Sequence, residues 1–311
     1  MLSPVRQASQ DLKVETLSKL TSVCVWAPAK INLFLRILSR EDSGYHQIET
    51  LFAAVSLYDE VHLERTSGDL SVEVVGPALG PEEENLAYRA AQLLIDRVNS
   101  SDGARIRLRK NIPTGAGLGG GSSDAGATLR AFNVLLGNPL SGVQLLELAG
   151  ELGSDVPFFT KGSGAALAWG RGERLVPVPT LEDTHVVLAL PPVSVSTALA
   201  YRELPSRISR DPSILDCHEV GRSQWLTKYA VNDFEPSIFR RYPELAEIRD
   251  AIVRNGASVA RLTGSGAAVY GMFHDGAAAK SACASLAVGR EGVRFTVVEA
   301  LASQPEPEGH M

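Results

Sequence analysis

Five glycines fall within seven positions of the stretch Asn111–Ala125, which reads Asn-Ile-Pro-Thr-Gly-Ala-Gly-Leu-Gly-Gly-Gly-Ser-Ser-Asp-Ala. Glycine has no Cβ, so its backbone amide can approach an anion closely and its φ can turn positive. The residues that follow predict a helix from about Ser122–Ser123 to Leu136, and a helix start offers free N–H groups and the positive end of the dipole. The chemistry suited to this stretch is phosphate binding. Gly115-x-Gly117-x-x-Gly120 matches the dinucleotide-binding fingerprint, but no strand ending in an acidic residue follows about 20 positions later. A Walker loop needs Gly-Lys-Ser/Thr, and Gly-Ser-Ser stands here instead. Pro113 before the glycines and the capping serines after them argue against a merely flexible loop.

Two charged residues stand apart from their surroundings. Lys30 is the only lysine between residues 20 and 109, and it sits on an otherwise apolar strand. Asp155 precedes Val156-Pro157, where an aspartate is in general most simply a helix N-cap. Thr263-Gly264-Ser265-Gly266 could by itself be only a turn.

The elements that must position these residues can be traced along the chain. Ile31, Leu33, Leu35 and Ile37 alternate with Asn32, Phe34, Arg36 and Leu38, the period of a strand. Val61/Leu63, Leu70/Val72/Val74 and Ile106/Leu108 repeat it, predicting short strands with one polar face. Arg105, Arg107 and Arg109 form the solvated face of an edge-like strand. Helices are predicted around Leu86–Arg97 and Ser141–Leu152. Beyond Lys161, strands at 165–169, 174–178, 185–190, 267–273 and 293–300 mix with helices near 243–255 and 277–286. Strands and helices lack a strict alternating rhythm, so the fold class is α+β. Two domains are expected, residues 22–170 and 171–301, between flexible tails at 1–21 and 302–311 that carry few apolar residues.

Composition narrows the function. The chain has 311 residues, 44% hydrophobic and 21% charged, with 30 Lys+Arg against 36 Asp+Glu for a net charge of −6. Disorder and a broadly basic nucleic-acid surface are thereby disfavoured. Cys24, Cys217 and Cys283 lie far apart, and the histidines make no metal-ligand spacing, so a zinc site has little support and a reducing, cytoplasmic setting is expected. Residues 1–22 lack the order of a signal peptide, and no apolar run reaches membrane-spanning length.

Three segments together resemble the GHMP kinases: Pro28-Ala29-Lys30-Ile31-Asn32-Leu33, the glycine loop with Ser122-Ser123-Asp124-Ala125, and Leu262-Thr263-Gly264-Ser265-Gly266-Ala267-Ala268-Val269. Within that family, Gly44-Tyr45-His46, the dense Gly117–Ala125 run and Gly153-Ser154-Asp155-Val156-Pro157-Phe158 resemble the branch acting on a cytidyl-diphosphate-linked methylerythritol in non-mevalonate isoprenoid precursor synthesis. The resemblance implies a two-domain architecture with the active site in the cleft between the domains. It also implies a kinase using ATP and Mg²⁺ on a small cytidyl-diphosphate substrate, with neither nucleic acid nor membrane as partner.

Residue by residue, the resemblance implies that Asp155 is the base facing the substrate hydroxyl, with Lys30 beside it. Pro113, Thr114, Gly115, Ala116, Gly117, Leu118, Gly119, Gly120, Gly121, Ser122 and Ser123 would wrap the ATP phosphates, and Lys110 would lie near the adenine. Asn32, Thr263, Gly264 and Gly266 belong on the substrate side. Tyr45 and His46 would hold the cytosine, and Tyr201 would give it a second aromatic face. Other GHMP kinases, of the mevalonate or homoserine type, and a dinucleotide-binding oxidoreductase are the alternatives.

Overall fold

A computed structural model describes residues 20–179, 184–204 and 223–311, without the side chains of 223–225. The chain opens with two long antiparallel strands, β1 (Ser22–Arg40) and β2 (His46–Thr66). β3 (Leu70–Val75), α1 (Leu86–Val98) and β4 (Gly103–Arg109) follow, then α2 (Gly120–Leu135), α3 (Gly142–Leu152) and α4 (Val156–Lys161). The hairpin β5 (Ala165–Gly170) and β6 (Arg174–Pro177) completes this part. Next come β7 (His185–Leu190), α5 (Thr197–Arg202), α6 (Ser223–Tyr229), α7 (Glu235–Arg241) and α8 (Pro243–Arg254). The chain closes with β8 (Val259–Leu262), β9 (Val269–Phe273), α9 (Gly276–Ala287), β10 (Arg294–Glu299) and β11 (Glu308–His310).

Two sheets result. The seven-stranded sheet runs β11-β1-β2-β4-β3, with β5 pairing the first half of β2 and carrying β6 outside it. The four-stranded sheet is antiparallel in the order β10-β7-β9-β8. One core lies between the first sheet and α1–α3, through Val23, Val25, Ile106, Leu94, Leu129, Phe132 and Leu148. A second packs Ile31, Leu33 and Leu51 of the first sheet against Val186, Leu188 and Tyr270 of the second. The outer face of the second sheet is covered by α8 and α9 through Leu245, Ile248, Ala279 and Leu286.

That middle layer corrects one expectation. The alternation along residues 31–38 predicts a polar face, yet every residue from Ala27 to Leu35 is buried. Both sides of mid-β1 are covered, one by helices and one by the second sheet, which period-two patterning of a single strand cannot distinguish. β4 is likewise no edge strand, since β3 pairs parallel beyond it. Its arginines do face solvent, paired with Glu64, Glu73 and Glu60.

The expected boundary at 170/171 also moves, because β6 belongs to the first sheet and the second sheet begins only at β7. The tail expected at 302–311 is built into the first sheet's layer. Gln304 is buried and its Nε2 donates to the Phe158 and Ser163 carbonyls, while Arg130 Nη2 donates to Pro305 O at 2.8 Å. β11 pairs with β1, Ser22 opposite His310. A short polar segment can be ordered by hydrogen bonds to another element's open edge, which leaves no apolar signature. Residues 1–19 of the expected N-terminal tail lie outside the described residues. Among those described, no helix is long and apolar enough to cross a membrane.

Candidate active site

The three glycine-bearing segments meet at one place. The Lys30 backbone N–H donates to Leu118 O of the loop at 2.9 Å, and Ala268 N–H donates to Ala116 O at 3.1 Å. Thr263, fully buried, accepts the Asn32 amide at Oγ1 (3.1 Å) and donates from it toward Gly117 O (3.3 Å). Gly117 has φ +76°, and a Cβ there would collide with the Thr263 carbonyl oxygen. Glycine at this position is therefore a packing requirement as well as a conformational one. Ser123 Oγ ties the next helix back to Pro28 O at 2.6 Å. On the other side of the loop, Val195 N–H donates to Gly115 O at 3.4 Å, with Ser194 crowding the Cα of Gly115.

α2 starts at Gly120, two residues before the predicted serines, because Gly119 caps it in the left-handed region (φ +72°). The amides of residues 120–122 are thus the free donors of a helix start adjoining a glycine loop, while Ser123 N–H already donates to Gly119 O at 2.8 Å; the arrangement suits an anion. Pro113, Thr114, Gly115 and Gly121 lie at or near the surface of this loop, whereas Ala116, Leu118 and Ser123 are buried under it.

Beside the loop, the Lys30 ammonium lies 3.6 Å from Asp155 Oδ2 and donates to Asn32 Oδ1 at 2.6 Å. It stands 5.3 Å above the Phe52 ring, and a Cβ on Gly264 would approach it to 3.4 Å. Asn32 is held in turn by Thr50, its Nδ2 donating to Thr50 Oγ1 at 2.8 Å. Asp155 occupies the N-cap position of α4, yet its side chain caps nothing and is directed at Lys30 instead. The simple capping role is therefore excluded. Lys30 is 5% exposed and Asp155 27%. Burial lowers the Lys30 pKa, and the Asp155 charge only partly opposes it. At this separation and an effective dielectric of ~20 the pair attracts by about 4–5 kcal/mol before desolvation, so burial outweighs one carboxylate here.

The base-binding candidates are arranged differently from the expectation. His46 stacks on Tyr201 with ring centroids 4.7 Å apart and planes at 26°, and Tyr201 meets Phe234 edge-on at 4.9 Å. The two rings cover each other, so as placed they do not flank a slot for a base. Tyr45 is 59% exposed at the β1–β2 turn, with the Arg171 guanidinium 4.0 Å over its ring. Arg171 itself is anchored to Glu41 at 2.6 Å. Burial lowers the His46 pKa, with Arg40 adding to the effect, which favours a neutral ring. Burial and then the Asp155 charge push the Tyr201 hydroxyl up to about 12. Tyr201 therefore stands within electrostatic reach of Asp155.

Lys110 is placed where the expectation did not put it. Its ammonium is bonded to the Asp59 and Asp124 carboxylates and is 1% exposed, so it is not open to an adenine. Of the predicted residues, Lys30, Asn32, Asp155, Gly117, Thr263 and Gly264 converge; Lys110 and Tyr45 stand outside that group. Sequence reading missed Thr50, Asp59 and the role of Asp124. A lone aspartate inside the otherwise strand-forming run of β2 was the available signal for Asp59. Among the described residues, no three carboxylates, histidines or cysteines converge as a metal cage.

The chain matches the GHMP kinases N terminal domain over residues 85–163 and the GHMP kinases C terminal domain over residues 218–288. It is 41% identical over 256 residues to the 4-diphosphocytidyl-2-C-methyl-D-erythritol kinase of Solibacter usitatus, covering 80% of each chain. It is 40% identical over 274 residues to the protein of the same name from Syntrophotalea carbinolica, 88% of this chain and 97% of that one. A solved 4-(cytidine 5'-diphospho)-2C-methyl-D-erythritol kinase superposes with a TM-score of 0.75 at 37% identity, over 88% of this chain and 98% of that one. The homoserine kinase of Cytophaga hutchinsonii shares the fold, with a TM-score of 0.74 at 20% identity and coverage of 94% and 98%. The chain belongs to the GHMP kinases, in the branch formed by the 4-diphosphocytidyl-2-C-methyl-D-erythritol kinases. It is an enzyme that moves a phosphoryl group from ATP to an alcohol.

Proposed function

We propose that the alcohol is the 2-hydroxyl of 4-diphosphocytidyl-2-C-methyl-D-erythritol, which the enzyme converts to the 2-phosphate. The observation that carries this reading is the Lys30–Asp155 pair, 3.6 Å apart, half-open at the foot of the glycine loop; the names of the 40%-identical relatives supply the substrate. Residues 113–123 wrap the ATP phosphates through backbone amides and the start of α2. The Asp155 carboxylate accepts a hydrogen bond from the substrate hydroxyl, aims its oxygen at the γ-phosphorus and takes the proton as the new O–P bond forms and ADP leaves. Lys30, whose buried charge one carboxylate does not balance, gains a second anionic partner as charge spreads over the transferring phosphoryl oxygens. Since a general base contributes ~10²–10⁴ in rate, orientation of the hydroxyl is the larger share of the work of Asp155.

Mg²⁺ fits this donor set as an ion held chiefly by ATP and water, with the partly exposed Asp155 carboxylate at hand, and it would neutralise charge between the phosphates. The cytosine rests on the His46–Tyr201 stack. A cytoplasmic setting accords with free Cys24 and Cys283. The test is ADP release by the purified enzyme with ATP, Mg²⁺ and the cytidyl substrate, beside mevalonate and homoserine. Turnover only with the cytidyl compound is the expected result; no stimulation by it would sink the substrate assignment.

A further inference from the structure

A second buried lysine lies beneath the glycine loop. Lys110 is followed directly by the loop residues, and its Nζ contacts the carboxylates of Asp59 on β2 and of Asp124 on α2, the latter at 2.5 Å. The three side chains are 1%, 0% and 2% exposed. The other oxygen of Asp59, Oδ1, accepts the backbone N–H groups of Asn111 (2.5 Å) and Ile112 (2.9 Å). One carboxylate thus grips the entry of the loop by two amides. The ammonium it shares reaches Asp124, just past the exit of the loop. Gly120 sits where the two ends meet: a Cβ there would lie 3.0 Å from Ile112 Cγ2 and 3.4 Å from Lys110 Nζ. A side chain there would press on both ends of the loop, so glycine lets the helix begin close over this lysine.

We infer that Asp59, Lys110 and Asp124 are a positioning triad, which ties the two ends of the 111–119 loop together and so sets the spacing of the amides that receive the ATP phosphates. The inference rests on the reading of that loop as the phosphate site. A lysine that touched the nucleotide would need an open ammonium, and this one is sealed and bonded on both sides. The charge of the cluster suits the task. Burial pushes the Asp124 carboxyl up to about 7, against the pull of Lys110 and with the help of Asp59, and its Oδ1 is buried with no partner. Near neutral pH the triad therefore carries less than a full negative charge beneath a loop that takes up anions.

The test is calorimetric titration of ATP onto the full-length Asp59→Asn, Asp124→Asn and Lys110→Met enzymes, without the second substrate. Gly121→Leu serves as the loop control, since Gly121 is exposed and the nearest atom to an added Cβ is Leu86 Cδ1 at 3.7 Å. Each triad variant should weaken ATP binding by roughly tenfold while the KM of the alcohol substrate stays within about twofold. The Asp59→Asn/Lys110→Met double variant should lose little more than its worse parent, because the members act as a unit. Folded Asp59→Asn and Asp124→Asn enzymes that bind ATP within about twofold of wild type overturn the inference. So does a loss confined to Lys110→Met, which would make that side chain a direct nucleotide contact. Failure of all three to fold, seen by circular dichroism, overturns it too, by reducing the triad to a fold element. Unchanged ATP affinity in Gly121→Leu would instead remove the phosphate-loop reading and the inference with it.

Discussion

The enzyme buries two lysines against aspartates, and they have opposite characters. Lys30 faces one carboxylate at 3.6 Å, and that carboxylate is partly open to solvent. Lys110 faces two, both sealed. Burial lowers the Lys30 pKa despite its partner. Burial acts on Lys110 in the same sense, yet the Asp124 and Asp59 charges together outweigh it and hold the ammonium up. One carboxylate does not offset the desolvation of a buried ammonium, and two do. The difference separates an incomplete site, which gains from an incoming anion, from a complete one, which holds structure in place. On the proposed reading, the same residue pairing serves chemistry in one place and geometry in the other, and saturation decides which.

The contrast breaks most sharply in turnover. Lys30→Met and Asp155→Asn should each lower kcat by ~10²–10⁴ while ATP affinity, read by calorimetry, changes little. Near-normal turnover in either variant would take that residue out of the reacting set. Stability should divide the lysines in the other direction. Lys110→Met leaves two buried carboxylates unpaired and should cost about 3–5 kcal/mol in urea unfolding, whereas Lys30→Met, relieved of a poorly balanced charge, should cost well under that. Equal losses would mean that the two sites are equally saturated.

A smaller effect is expected at the aromatic stack. His46→Ala should raise the KM for the cytidyl substrate by up to about tenfold with kcat little altered, since a stacked ring contributes about 1 kcal/mol. A changed ATP KM instead would move His46 to the nucleotide side. The smallest concerns alkaline stability. A hydroxyl raised from 10 to about 12 in the folded state means that the native protein holds a proton the unfolded chain has released, so stability falls as pH rises from about 10 to 12. Tyr201→Phe should flatten that part of the stability curve, and an unaltered slope would show that Tyr201 ionises as freely as in the unfolded chain.

Much of this was legible in the residues. The helices at 141–152, 243–255 and 277–286 were marked by periodicity; the capping box of Ser141 with Gln144 that opens the first emerged only in the structure. The glycine loop, Lys30 and Asp155 stood out because glycine spacing and a charge on an apolar strand are local facts. Lys110 misled, because a lysine next to a phosphate loop reads as a ligand until its carboxylates are seen. Gln304 misled in the opposite sense: a polar residue in a Pro- and Glu-rich tail carries no apolar signal, yet it is buried and bonds Phe158 and Ser163.

By itself the sequence determined the class of chemistry and the local pieces: a loop of glycines able to cradle phosphate, a helix after it, and three segments that mark a GHMP kinase. Only the tertiary structure decided which buried lysine meets one carboxylate and which meets two, where the first sheet ends, and that both faces of mid-β1 are covered. The physical reason is that burial and ion pairing belong to pairs of residues. Asn32 and Thr263 are bonded across 231 positions of chain, and no local pattern can say which distant side chain will arrive to complete a charge.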